Sequence, residues 1–168
     1  MIALPLMVRD WCHGLDSTLA AELLTCRADG WPHLAHLSCG EVVIDTMGQL
    51  RLALWAGSRG THNLVATGQA CLILASPEGV FEIRLALVGT LALPSQASGP
   101  DLQGFCLEPI AVCDKSAPYA SITSALRFAL HDPQTGQARW AQLRQQLFEV
   151  QVEALNRDGP GQSPLLRG

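Results

Sequence analysis

Ser58, Arg59 and Thr61 stand close together in the run Gly57-Ser58-Arg59-Gly60-Thr61-His62-Asn63-Leu64. Two hydroxyls and a guanidinium beside a candidate helix start form a donor set that suits a phosphate. The side chains supply charge-assisted hydrogen bonds, and the free N–H groups of a first helical turn supply more. The same residues would also make a capped surface turn with Arg59 in solvent. No nucleophile constellation accompanies them. The chain has no Gly-x-Ser-x-Gly, no Gly-x-Gly-x-x-Gly and no nucleoside-triphosphatase phosphate loop. If the chain is an enzyme, a cofactor carries the chemistry and the protein positions it. Glu41 and Asp45 could form a carboxylate pair, although nothing in the sequence places them at a site.

The elements around this loop read as strand, polar loop, short helix, strand. Residues 50–55 are apolar except for Arg51, and residues 70–75 form a second apolar run. Upstream, residues 15–24 start with helical spacing and offer Asp16 or Ser17 as an N-cap. Residues 23–28 and 31–38 flank Asp29-Gly30, a hairpin signal. A strand over 41–45 turns at Met47-Gly48. The longest strand expected is 80–93, where Phe81, Ile83, Leu85 and Leu87 alternate with Glu82, Arg84 and Ala86. Residues 94–100 read as a flexible insert. Residues 104–113 read as a strand in which Pro109 requires an edge or a bulge. Alternation over 122–130 favours another strand, ended by Asp132-Pro133. The clearest helix is expected over 138–154, with Trp140, Leu143, Leu147, Val150 and Ala154 on one stripe. The segment 156–168 lacks periodicity and is expected to be mobile. Several short strands interrupted by one helix point to a small barrel in a single domain over 1–155, not a parallel sheet.

Composition excludes some classes. A chain of 168 residues can bury a real core. With 48% hydrophobic and only 15% charged residues, part of the surface is expected to be covered by a second copy. A net charge of −4 and a single lysine, Lys115, argue against a nucleic-acid surface. No apolar run approaches a membrane span, and the first eleven residues lack a signal peptide's pattern, so a cytoplasmic location is expected. The six cysteines form no Cys-x-x-Cys pair and lie mostly in apolar runs, as buried small hydrophobes do. His33 and His36, three apart on a strand, point to opposite faces and cannot share a metal.

In order, the hairpin Leu24-Thr25-Cys26-Arg27-Ala28-Asp29-Gly30-Trp31-Pro32-His33, the strand Leu50-Arg51-Leu52-Ala53-Leu54-Trp55, the Ser58 loop, Ala70-Cys71-Leu72-Ile73-Leu74 and the strand ending Val88-Gly89 resemble the split-barrel family related to pyridoxamine 5′-phosphate oxidase. The resemblance runs over about residues 23–89. More faintly, residues 117–124, Arg127-Phe128 and the Trp140 helix look like the C-terminal part of bacterial members.

The resemblance implies a mainly β fold: an antiparallel split β-barrel with an added C-terminal amphipathic helix. It also implies a homodimer holding flavin mononucleotide (FMN) at the subunit interface, where an unidentified small molecule is oxidised or reduced. Ser58 matches the family's phosphate serine and Arg59 one of its basic positions. Gly60 stands where a lysine is often found, and Ala35 and His36 stand where a second-strand arginine is expected. Thr61 or Arg84 could compensate. Leu54, Trp55 and Ala56 could provide a wall for the isoalloxazine, His36 a hydrogen bond to the ring or substrate, and Asn63 an orienting contact for the loop. Trp55 is equally at home in a core or interface, and Asn63 on a plain helix face. A non-catalytic flavin- or haem-binding protein and a deazaflavin-dependent reductase are the alternatives.

Overall fold

The computed structural model describes residues 2–95 and 99–154. The segment 156–168 and the middle of the 94–100 insert lie outside the described residues. The element order is α1 (Leu6–Cys12), β1 (Ala20–Cys26), β2 (Pro32–Ser38), a 3-10 turn (Cys39–Glu41), β3 (Val42–Ile44), β4 (Leu50–Trp55), α2 (Arg59–Thr67), β5 (Gln69–Ser76), β6 (Gly79–Leu91), β7 (Leu102–Asp114), α3 (Pro133–Glu149) and β8 (Val152–Ala154). The strands form one antiparallel sheet in the order β2-β1-β5-β6-β7-β4-β3, with β8 added to β6. The sheet curls into a split barrel, as the resemblance implies.

Alternation along each strand decides what faces inward. Leu23, Leu37, Leu50, Leu52, Leu54, Leu72, Leu74, Ile83, Leu85, Leu87, Phe105 and Leu107 fill the interior. The opposite face of β3, β4, β7 and the end of β6 offers Val43, Ala53, Cys106 and Leu91, and α3 covers it with Leu143 and Leu147. Two bulges make this possible. One leaves Ile110 unpaired beside Pro109, as the proline requires, and the other at Val88 turns Leu91 outward.

The Asp29-Gly30 hairpin forms as expected, with Gly30 at φ 88° and Thr25 opposite His33. Residues 15–24 do not form a helix. The helix lies earlier, at Leu6–Cys12, and Asp16 instead caps a turn, accepting from the Thr18 and Leu19 N–H groups. The reason is magnitude. Burying Leu23 fully contributes about 1.5–3 kcal/mol, and sheet pairing on both edges adds to it, whereas helix propensity differs by about 0.7 kcal/mol or less between ordinary residues.

Two expectations at the C-terminal side are also corrected. Residues 122–130 form no strand; they make one bridge, Leu19 to Arg127, because the β1 edge is free of β5 only before Glu22. Asp132-Pro133 starts a helix rather than ending a strand. Asp132 accepts from Thr135 N–H at 3.2 Å, and Pro133 sits where its missing N–H costs nothing. The helix stops at Glu149, and Val152–Ala154 takes the β6 edge beyond the β5 pairing. Among the described residues, no helix is long and apolar enough to cross a membrane.

Two half-buried polar side chains hold the corner at the 3-10 turn. The Arg144 guanidinium donates to the Cys39, Val42 and Cys12 carbonyls at 2.5, 2.9 and 2.7 Å. Glu41 accepts from Ser38 N–H and Oγ at 2.8 and 2.9 Å. Glu41 and Asp45 are therefore not a pair, since Asp45 binds Arg51 at 3.1 Å and caps the β3–β4 turn. Removing the Arg144 donor should cost about 1–3 kcal/mol, since the part-buried carbonyls it leaves unpaired keep some access to water. We expect Arg144→Met to lower the denaturant midpoint accordingly, and an unchanged midpoint would contradict this role. Burial lifts the Glu41 carboxyl above its ordinary range, against the opposing bonds from Ser38. Its contribution to stability is thus full below the unfolded pKa and is lost as pH rises through the folded one. Glu41→Gln, which keeps an acceptor for Ser38, should gain on the wild type as pH rises above the ordinary glutamate range of about 4. Parallel pH–stability curves would refute that.

Candidate functional site

β4 ends at Trp55, which is 58% exposed, and the chain turns at once into α2. Ser58 N–H donates to the Trp55 carbonyl at 2.9 Å, closing the turn. Ser58 Oγ then caps the helix by accepting from Thr61 N–H at 3.2 Å. Thr61 is buried, its Oγ1 lying 3.1 Å from Ser58 Oγ and donating to the Trp55 carbonyl at 2.8 Å. The two hydroxyls therefore shape the turn itself. A first helical turn has four N–H groups with no intrahelical acceptor. Here Ser58 and Thr61 use theirs, and His62 begins the helical ladder on the Ser58 carbonyl. The Arg59 and Gly60 N–H groups are left to face a ligand. Arg59 is exposed and has no side-chain partner among the described residues.

Other expected site residues divide by position. Leu54 and Ala56 adjoin the turn: Leu54 is buried beneath it, and Ala56 is exposed with its N–H on the Asp101 carbonyl. Asn63 is buried one turn along, donating to Thr25 Oγ1 at 3.2 Å, so it fixes α2 on β1. Arg84 and His36 are not brought to the loop within one chain. Arg84 lies on the outer face of β6, paired with Glu82 at 2.9 Å. His36 is exposed, opposite Glu22, on the face of β2 away from the core.

His33, which the sequence pattern does not mark as a site residue, lies beside the loop. A Cβ built on Gly60 would lie 3.8 Å from His33 Cδ2, 3.7 Å from Ser58 Oγ and 3.7 Å from Leu54 Cδ1. The signal was in the hairpin. A turn at Asp29-Gly30 pairs Thr25 with His33, and period two then puts both on the inward face with Leu23.

An anion fits this arrangement through its donor set: the Arg59 and Gly60 N–H groups, the Arg59 guanidinium, unpaired among the described residues, and an imidazole, all at one helix start. The flanking Trp55 gives a flat apolar surface at the mouth. An open cleft of about 550 Å³ lies elsewhere, between α1 and the β3–β4 turn, lined by Arg9, His13, Ile44 and Phe148.

No family model matches the chain. It is 30% identical over 121 residues to the uncharacterized protein YclD of Bacillus subtilis (strain 168), covering 72% of this chain and 77% of that protein. Among solved structures, an FMN-binding protein from Syntrophomonas wolfei subsp. wolfei superposes with a TM-score of 0.50 at 11% identity. That match covers 65% of this chain and 84% of the other. A putative pyridoxamine 5′-phosphate oxidase from Lactobacillus delbrueckii gives 0.48 at 12% identity, covering 62% and 90%. The chain belongs to the family of YclD, and its split-barrel fold is shared with the Syntrophomonas FMN-binding protein.

Proposed function

We propose that the protein binds flavin mononucleotide at the first turn of α2 and uses it to oxidise or reduce a small molecule between two copies of the chain. The observation that carries this reading is the donor set at Ser58–Thr61, on a fold shared with an FMN-binding protein. When bound, the flavin supplies the electron-transfer chemistry that no side chain here provides. The Arg59 guanidinium and the Arg59 and Gly60 N–H groups hold the phosphate. Leu54, Trp55 and Ala56 line the approach and exclude water from one side. Six free cysteines agree with a reducing compartment, and we take the cytoplasm as the location.

The second copy enters through an uncovered surface. α3 covers the outer face of β3, β4 and β7, whereas the outer face of β2, β1 and β5 carries Leu34, Leu24, Cys71 and Ile73 with no helix over them among the described residues. His36 and Arg84 stand on that same face, so their part in a site would come across a dimer interface. A second reading, binding without turnover, is favoured by one observation: Gly60 removes a cation from the phosphate turn.

Titrating FMN into the protein tests the assignment by fluorescence quenching. A charge-assisted hydrogen bond contributes about 1.5–3 kcal/mol, so Arg59→Ala should weaken binding about tenfold to a hundredfold. Ser58→Ala should cost less affinity but also about 1 kcal/mol of stability, since it removes the helix cap. Equal affinities for wild type and Arg59→Ala would sink the phosphate assignment. The absorbance spectrum of purified protein separates flavin, deazaflavin and haem. For the dimer, we expect a sedimenting species of two chains, with an interface above about 2,000 Å². A monomer at micromolar concentration would remove the shared site.

A further inference from the structure

We infer that His33 is a phosphate-binding residue, donating to the anion at the α2 turn together with Arg59. The inference rests on the flavin reading above and extends it to a residue that the family pattern does not mark in this chain. It begins with the hairpin register. His33 is opposite Thr25, and Thr25 Oγ1 receives the Asn63 amide from the second turn of α2. That bond is buried and ties the helix to the β1–β2 pair at this level, which holds the imidazole against the first turn.

Gly60 is where the imidazole and the turn meet. It is buried at the second helical position, its N–H has no acceptor in the helix, and the place a Cβ would take is bounded by His33 and Ser58. A larger side chain here would stand between the imidazole and the backbone. With glycine, an anion can approach the N–H, and a ring 3.8 Å from that Cβ position is close enough to reach the same oxygens. His33 is half-buried and has no hydrogen-bond partner among the described residues. A neutral imidazole offers one N–H and a protonated one offers two, so the ring can donate in either state. His36, three residues on, faces away and is the natural control.

The test compares FMN with riboflavin, which lacks the phosphate, on wild type, His33→Ala, His33→Arg and His36→Ala, each shown to melt as a folded protein. His33→Ala should weaken FMN about tenfold, the worth of one hydrogen bond to a charged group. Riboflavin affinity should stay unchanged, and His33→Arg should recover most of the loss. The ³¹P resonance of bound FMN should shift between wild type and His33→Ala but not in His36→Ala. FMN affinity unchanged in His33→Ala would overturn the inference alone, as would an equal loss for riboflavin, which would mark a packing role. A wild type that binds no FMN would overturn the flavin reading and this inference together.

Discussion

β2 and β3 are both edges of the sheet, yet only the Cys39–Glu41 turn separates them. The barrel therefore cannot close by strand pairing at this corner, and the main-chain polar groups there need other partners. A buried carbonyl or N–H without one costs about 1–3 kcal/mol, so the corner is where the fold is most exposed to failure. The chain meets the need with two charged side chains of opposite sign. Arg144 reaches in from α3 to three carbonyls, two from the corner and one from the end of α1. Glu41 folds back on Ser38. Trp140 lies on Gly40 so closely that any Cβ there would overlap the indole. Arg51 performs the matching task at the other end of α3, donating to the Leu147, Phe148 and Val150 carbonyls while Asp45 balances its charge. A cation at a helix C-terminus is also favoured by the helix dipole.

Fixing α3 at this corner decides what the remaining surface can do. The helix seals one half of the outer sheet face; the other half, around Leu34, Leu24 and Ile73, has no helix over it among the described residues. The two ends of the barrel differ in the same way. α1 plugs the end near residues 19 and 76, with Trp11 buried and donating to the Leu19 carbonyl. α2 lies across the opposite end, where the hairpin tip and the end of β4 expose Trp31 and Trp55. Donors and exposed aromatic surface thus gather at α2, at the end of the barrel away from α1.

Much of this was legible in the sequence wherever a local rule and the tertiary fold agree. Asp29-Gly30 set the first hairpin, period two set β4 to β6, and Pro109 announced its bulge. Misreadings came where one local pattern serves two structures. Asp16 makes the same short-range bonds in a turn as at a helix start, and Leu and Ala in 19–24 favour a helix until burial between two strands outweighs propensity. Asp132-Pro133 stops a strand or starts a helix with equal economy, and only the Thr135 bonds reveal which. The extended run 122–130 alternates correctly but finds too little free edge to pair. For the site, the loop chemistry could be read directly because its residues are contiguous. His33 could not be read that way, since its relation to Gly60 depends on the register of one hairpin and the docking of a helix from 27 residues downstream.

The Gly60 departure has consequences in both directions. Losing a lysine from a phosphate turn forfeits a charge-assisted bond of about 1.5–3 kcal/mol, which alone would weaken an anion tenfold or more. Against that, Ser58 and Thr61 are already committed to the turn's own hydrogen bonds, and α2 is anchored through Asn63 and Thr25. The free N–H groups are consequently aimed before any ligand arrives, which lowers the ordering cost that binding must offset. A lysine at position 60 would have to hold four rotatable bonds in place, whereas the imidazole beside Gly60 has two and sits on a paired strand. The turn thus exchanges a mobile charge for fixed donors. That exchange favours a ligand whose phosphate is small and rigidly placed over one that relies on long-range attraction.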